Sequence, residues 1–395
     1  MFVDANEVMS RDERPERAPR ATTAKRRHAA RAPKITFDGD GGFHAELKRR
    51  VREHLHANGL SSRGGFSMVL KTATILLWFA CSYALLVFWA HTWWEGALLS
   101  FSLALAMAGT GFAIQHDANH GAYSERKWVN RLMGFTLDLL GASSYVWHWK
   151  HNILHHTYTN VHGADHDINI QPFARLSPEQ PRRRLHHLQQ FYVWGLYGFL
   201  LPKWHLIDDF QNVLQSRIDD NRMPRPRGWD LVRLVVGKVL FFGWALVVPM
   251  LFHRWWVAAI FYGATAFFVG LILAVVFQLA HCLEGADFPS LPPGSERVAE
   301  GWAEHQVRST VDFARGNRVL TWYLGGLNYQ IEHHLFPKLC HLRYPAISGV
   351  VEEVCAQFGV PYLAHERMVG ALSSHWRWLR HMGAPIAMVA ADSAM

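Results

Sequence analysis

Two pairs of apolar stretches constrain this 395-residue chain more than any other feature. Residues 72–90 and 97–115 lie between Lys71 and Arg126, an interval without a single Lys or Arg, and are separated only by the polar turn 91–96. Residues 234–252 and 256–280 form the second pair, with Arg254 in the turn. Each stretch approaches the ~20 residues that a helix rising ~1.5 Å per residue needs to cross a ~30 Å hydrocarbon core. Lys238 sits one turn into the third stretch, placed to snorkel outwards. The expected fold is an all-α membrane protein with four transmembrane helices in two hairpins, rather than a soluble protein with buried core helices. With 50% hydrophobic and 13% aromatic residues, a disordered chain is excluded.

Basic residues set the orientation. Segments 1–71 and 121–230 are rich in Lys and Arg, whereas the two short turns hold only Arg254. By the positive-inside rule both termini and the middle segment face the cytoplasm. Each turn also carries a Trp pair, Trp93-Trp94 and Trp255-Trp256, as an interfacial aromatic belt would. Two further apolar stretches, 132–147 (with Asp138 inside it) and 191–201, are too short to span and are expected in the interface or in a cytoplasmic helical cap. Residues 1–35 are expected as a basic disordered tail. Its charges run on without an apolar core, so it is no signal peptide, and Arg26-Arg27 lacks the apolar segment of a twin-arginine signal. From Phe43 the apolar positions Phe43, Leu47, Val51 and Leu55 recur every four residues among Lys48, Arg49, Arg50 and Arg52. That pattern fits an amphipathic helix on anionic headgroups or an ordinary surface helix packed on the domain. Residues 366–395 are expected as a C-terminal tail. The absence of a retention motif there favours a bacterial inner membrane.

The chain holds 25 histidines. At about 6% histidine, chance supplies one or two H-x-x-x-H pairs but only about 0.1 of an H-x-x-x-H-H. Three clusters therefore stand out: His116-Asp-Ala-Asn-His120, His151-Asn-Ile-Leu-His155-His156 and Gln330-Ile-Glu-His333-His334, with a single His281 just past the fourth apolar stretch as His116 is past the second. With four spans, all lie near one membrane face. Residues i and i+4 project from one helix side, so such pairs can share a metal. Eight imidazoles exceed the four ligands of a tetrahedral zinc, which favours two metals, and imidazole suits iron, zinc, copper or nickel. Asp117, Asp165, Asp167 and Glu332 are placed to accept from ligand N–H groups. His162/His166 and His186-His187 belong to no larger cluster and are read as background. The four cysteines contain no C-x-x-C pair, against a thiolate site or a disulfide scaffold. Protease motifs fail too. Asp117 stands where H-E-x-x-H needs Glu, and Tyr329 where H-x-x-E-H needs its first His.

With these motifs in this order, the sequence resembles the membrane fatty acid desaturases, in particular the acyl-lipid and acyl-CoA group that includes front-end (Δ5/Δ6-like) enzymes. The resemblance covers roughly 36–365. The boxes H-D-x-x-H-G, H-x-x-x-H-H and Q-x-x-H-H appear at 116–121, 151–156 and 330–334, and the likeness extends to Thr159-Asn160, Gly163–Ile168 and Ala280–Glu284. It implies a di-iron site in the cap held by His116, His120, His151, His155, His156, His281, His333 and His334, with Asp117, Asn160, Asp165, Asp167, Gln330 and Glu332 around it. Gln330 in the third box leans towards the front-end group.

The activity implied is aerobic dehydrogenation: O2 and two electrons remove hydrogen from two adjacent methylenes, leaving a cis double bond and water. The acyl chain is expected in an apolar channel between spans and cap, with its head near Arg182, Arg183, Arg184 or Lys150. No H-P-G-G haem motif occurs, so a separate ferredoxin or cytochrome b5 is the expected electron donor; no nucleic-acid partner is implied. The nearest alternative is a hydroxylase or ketolase of the same superfamily. A histidine-rich metal transporter is more distant, since transporters keep ligands near the bilayer midplane.

Overall fold

The computed structural model describes residues 35–291 and 297–385, so nearly all of the expected basic tail and residues 386–395 lie outside the described residues. The main helices, in chain order, are α1 (Phe43–Ala57), α2 (Gly65–Phe88), α3 (Trp93–Asn119), α4 (His148–His155), α5 (Gln189–Tyr197), α6 (Trp229–Phe252), α7 (Trp255–His281), α8 (Trp302–Arg308), α9 (Gln330–Leu335), α10 (Tyr344–Phe358) and α11 (Met368–Gly383). Among the described residues, α2, α3, α6 and α7 are long and apolar enough to cross a membrane. The stretch 132–147 is broken into short helices, and 191–201 is divided between α5 and a short helix at Leu200–Lys203.

Within the apolar window of α3, 67% of residues are buried, against 22% in α2 and 28% in α6. α3 is therefore the inner helix, packed on α2 and α7. On α2 and α6, Leu70, Leu77, Val235, Val239 and Leu251 point outwards, an apolar exposure that a water-soluble monomer rarely carries. α3 starts sharply because Thr92 and Glu95 cap each other reciprocally, each side chain meeting the other's backbone N–H.

Two lysines sit differently from the hydropathy pattern. Lys71, expected to mark the edge of the first span, lies inside α2 and is 2% exposed, with Nζ 2.7 Å from His341 Nε2. Lys238 does not snorkel. It points inwards to Asp209 Oδ2 at 2.8 Å and donates to Gly141 O at 2.7 Å. A partner and a carbonyl inside the protein satisfy its ammonium, so the side chain has no need to reach the surface.

Helices α1, α8, α9 and α10 gather around one core. Phe43, Leu47 and Val51 of α1 are buried there with Val351, Val354 and Cys355 of α10, which decides for the packed surface helix over the headgroup-binding one. Burying each such side chain contributes about 1.5–3 kcal/mol. The basic face of α1 is partly neutralised by Arg49–Glu46, Arg49–Glu53 and Arg50–Glu353 pairs. Short parallel strand pairs join Thr36–Phe37 to Arg297–Val298 and Asp312–Phe313 to Ala364–His365. Beyond 366 the chain does not trail off as a tail. α11 packs on α5 and the end of α7, burying Ala371, His375, Leu379 and Met382, because one side of its helical repeat is apolar.

Candidate metal centre

The first two histidine clusters sit where a helix departs from regular α geometry, and the third lies on a short regular helix. α3 contains a wide i→i+5 turn at Thr110–Gln115 and then continues through His116 to Asn119, so His116 belongs to the spanning helix rather than lying past it. In α4 the His156 N–H bonds the His151 carbonyl, again i→i+5. Such winding brings i, i+4 and i+5 to one side, so His151, His155 and His156 all face inwards; wide turns of this kind recur at functional sites. α9 carries His333 and His334, its first turn held by Asp312 Oδ1 accepting the Ile331 N–H at 3.0 Å. His281 is the last residue of α7.

All eight imidazoles are buried and their rings meet. His116–His333 centroids are 4.5 Å apart, His120–His156 4.7 Å, His156–His334 4.4 Å and His155–His281 4.7 Å. Candidate ligand atoms of His116, His120, His151 and His333 lie within 4.8 Å of one another, as do those of His155, His281 and His334, and His156 forms a third such set with His333 and His334 that joins the two. His116 Nε2 and His151 Nε2 are 3.3 Å apart, and His151 Nε2 and His156 Nε2 3.2 Å. Two ligands on one ion with metal–nitrogen bonds of ~2.1 Å stand roughly 3 Å apart. His120 Nε2, His156 Nδ1, His333 Nε2 and His334 Nε2 are buried without any hydrogen-bond partner. A buried orphan nitrogen is costly unless its lone pair has another use, and an all-imidazole donor set fits a pair of borderline transition metals.

The opposite ring edges are held by the protein, which fixes tautomer and ring direction. His155 Nδ1–H donates to Asp165 Oδ2 at 3.0 Å, His334 Nδ1–H to Gln306 Oε1 at 2.7 Å, His333 Nδ1–H to Tyr344 OH at 3.2 Å and His281 Nδ1–H to the Ser309 carbonyl at 3.3 Å. Of the surrounding residues expected from the sequence, Asp165 meets a ring directly, Asp167 lies 3.7 Å from His155 Nδ1, and Gln330 Nε2 lies 3.2 Å from His281 Nε2. The others face elsewhere. Asp117 accepts from His341 Nδ1 at 2.9 Å, Glu332 accepts from the Tyr362 hydroxyl at 2.8 Å, and Asn160 donates to the backbone carbonyls of His281 and Asp287. Gln306, Tyr344 and Trp147, which stacks on His151 at 4.3 Å, escaped the sequence reading because they belong to no spaced motif. His166 pairs instead with Asp219, and His186 bonds the Pro172 carbonyl. Lys150 is tied to Asp167 at 3.3 Å, and Arg182 to the Gly383 carbonyl, so two of the expected head-group cations are already engaged.

Burial, reinforced by the neighbouring imidazoles, pushes the pKa of His120, His151, His156, His333 and His334 well below the usual histidine value. Neutral rings keep the lone pairs a metal needs. Burial also opposes protonation of His155, but the Asp165 and Asp167 carboxylates outweigh it and raise its pKa. Glu332 is pushed well above the carboxylate range by burial and by Asp312 beside it.

Of two cavities, only the smaller adjoins the centre; none of the eight histidines lines the larger. The smaller, of about 20 Å³, is lined by Gly111, His116, Leu140, Trp147 and Leu273, and the larger, of about 260 Å³, lies between α3, α6 and α7. Met107 lines both.

Comparison with known proteins agrees with this chemistry. A family model described as fatty acid desaturase matches residues 91–366. An sn-1 linoleoyl-lipid 6-desaturase of Arthrospira platensis is 39% identical over 88% of this chain and 95% of its own length, and one from Synechocystis sp. is 36% identical over 89% and 98%. A Delta(5) fatty acid desaturase of Dictyostelium discoideum is 29% identical over 89% of this chain and 76% of its own length.

Proposed function

This chain belongs to the fatty acid desaturase family and is an oxidoreductase, and from that premise we propose that it places a cis double bond near the carboxyl end of a lipid-linked acyl chain, in the manner of a Δ6 front-end enzyme. The observation that carries the proposal is the convergence of eight buried imidazoles, four with an unpartnered ring nitrogen, beside an apolar cavity. His116, His120, His151 and His333 would hold one iron and His155, His281 and His334 the other, with His156 in reach of His333 and His334. Iron bound there supplies the O2-dependent removal of hydrogen from two adjacent methylenes, with water as the second product. Asp165, Gln306, Tyr344 and the Ser309 carbonyl keep the ligand rings aimed. Trp147 and Leu140 line the small cavity against His116 and shield the acyl chain from water, while Gly111, without a side chain, leaves it room.

The lipid-linked substrate is supported by the relatives' names, two of which specify linoleoyl-lipid at carbon 6. In this reading the four spans form two hairpins in a bacterial inner membrane, with both termini and the histidine cap on the cytoplasmic side, an orientation that the positive-inside pattern supports. Electrons come from a separate ferredoxin or cytochrome b5. Fatty acid methyl ester profiles of cells carrying the wild type or His155→Ala, fed defined acyl chains under air, test the proposal. A new cis double bond that only the wild type makes, with its position read from the fragments, is expected. A hydroxy or keto acid in its place moves the chain to the hydroxylase branch, and purified protein without iron sinks the metal reading.

A further inference from the structure

His281 differs from the other seven rings. They come in groups on shared helices and hold one another in place, whereas His281 is solitary, so its aim depends on how α7 ends. Its two ring contacts are long, Nδ1 to the Ser309 carbonyl at 3.3 Å and Nε2 to Gln330 Nε2 at 3.2 Å. The last carbonyls of a helix lack intrahelical partners, and here each is taken by a different part of the chain. Ala280 O accepts the Val311 N–H at 2.9 Å, His281 O accepts Asn160 Nδ2 at 3.0 Å, and Cys282 O accepts Nδ1–H of His375.

His375 is 0% exposed and lies on α11, beyond the segment 91–366 matched by the family model. Its other ring nitrogen faces the Tyr197 hydroxyl of α5 at 2.9 Å. A carbonyl can only accept, so Nδ1 donates and Nε2 accepts the Tyr197 O–H; both ring nitrogens are committed. Tyr197 stacks near-parallel on the ring, and Trp194 meets it edge-on. The same helix grips the chain again three residues past His281, where Ser374 Oγ accepts the Glu284 N–H at 3.1 Å.

We infer that His375 is a positioning residue for the metal set around His281: it clamps the chain reversal at Cys282 and so holds the His281 ring against His155 and His334. The inference rests on the reading of His281 as a ligand. An Asn side chain puts its amide nitrogen about where Nδ1 stands, whereas a Gln amide reaches to the Nε2 position and points away from Cys282.

The test uses the full chain, purified in detergent and freed of metal, titrated anaerobically with Fe(II) for ion count and with Co(II) for visible bands that report each site. The wild type and His375→Asn are expected to take up two ions alike. His375→Gln and His375→Leu keep the first and bind the second roughly tenfold or more weakly, the loss usual when support behind a metal-ligating imidazole is removed, with one set of cobalt bands altered and the other intact. Tyr197→Phe, which leaves the Nδ1–H bond to the Cys282 carbonyl in place, takes up both ions as the Asn variant does, and the Gln variant decides the matter if the Leu variant does not fold by circular dichroism. Wild-type affinity for both ions in the Leu variant, identical behaviour of Asn and Gln, or parallel weakening of both sites overturns the inference. A wild type that takes up no ion instead overturns the reading of the histidines, and this inference with it.

Discussion

Replacing Asp165 with Asn exchanges one buried oxygen for an amide nitrogen and should be read at the metal more than in the fold. The Asp165 side chain is 0% exposed. Its Oδ2 accepts from His155 Nδ1 at 3.0 Å and from the Asn160 N–H at 2.9 Å, and Oδ1 accepts from the Asp167 N–H at 2.9 Å. Asn can keep its oxygen at the two-donor position only by turning its NH2 towards the Asp167 N–H, and that donor-to-donor contact leaves a buried group unsatisfied at about 1–3 kcal/mol. His155 meanwhile trades a carboxylate for a neutral acceptor, which weakens the imidazole as a ligand; changes of this kind lower metal affinity about 10–100-fold, or ~1.4–2.8 kcal/mol. Competition for Fe(II) against a chelator under anaerobic conditions, alongside circular dichroism and a thermal midpoint for the metal-free protein, separates the two effects. The expected result is a loss of one to two decades in affinity with the helical signal intact. An Asn variant that binds iron as tightly as the wild type would refute the assignment of Asp165 as the support of His155. A lower midpoint with unchanged affinity would refute it equally.

Two further outcomes are expected. Asp138 is 3% exposed, its Oδ2 has no partner, and burial raises its pKa to about 6. Its folded value lies above the unfolded one, so its contribution to stability is present below about pH 4 and is lost as pH rises through about 6, a cost of up to ~3 kcal/mol. Asp138→Asn should therefore raise the thermal midpoint at pH 8 and leave it nearly unchanged at pH 4; an equal gain at both would show that charge is not the cause. Met107 stands nine residues before His116 on α3, roughly 13 Å along the axis, and that is roughly ten methylenes of a zigzag chain with ~1.5 Å bonds. Met107→Trp adds bulk at the residue that lines both cavities and should suppress desaturation of 18-carbon chains while sparing 14-carbon ones in fatty acid profiles. Equal loss on both lengths would show that the acyl chain does not run past Met107.

Which features were legible in the sequence follows from how far apart the cooperating residues lie. A span is a local property, a run of apolar residues of sufficient length, and so the four long helices could be read directly. The boxes were legible for the same reason, since His116/His120, His151/His155/His156 and His333/His334 each share a helix and spacing alone puts them on one side. Where the reading stopped short, a partner came from far along the chain. The apolar run ends at Gln115, yet α3 continues to Asn119 because its last turn is buried, His116 among facing imidazoles and Ala118 in a cluster with Met68 and Ile75. Gln306 and Tyr344 reach the site from α8 and α10, and His375 reaches the end of α7 from α11, without any local pattern to announce them. Lys238 shows the limit most plainly. Its position in an apolar stretch says that its charge must be satisfied, and the expected solution was the nearby membrane surface. The solution adopted is Asp209, whose Oδ2 also accepts the Ser143 N–H at 2.7 Å. One carboxylate thereby ties α6 to the segment that leads into α4, so a lysine that hydropathy treats as an interruption helps to position the second histidine box.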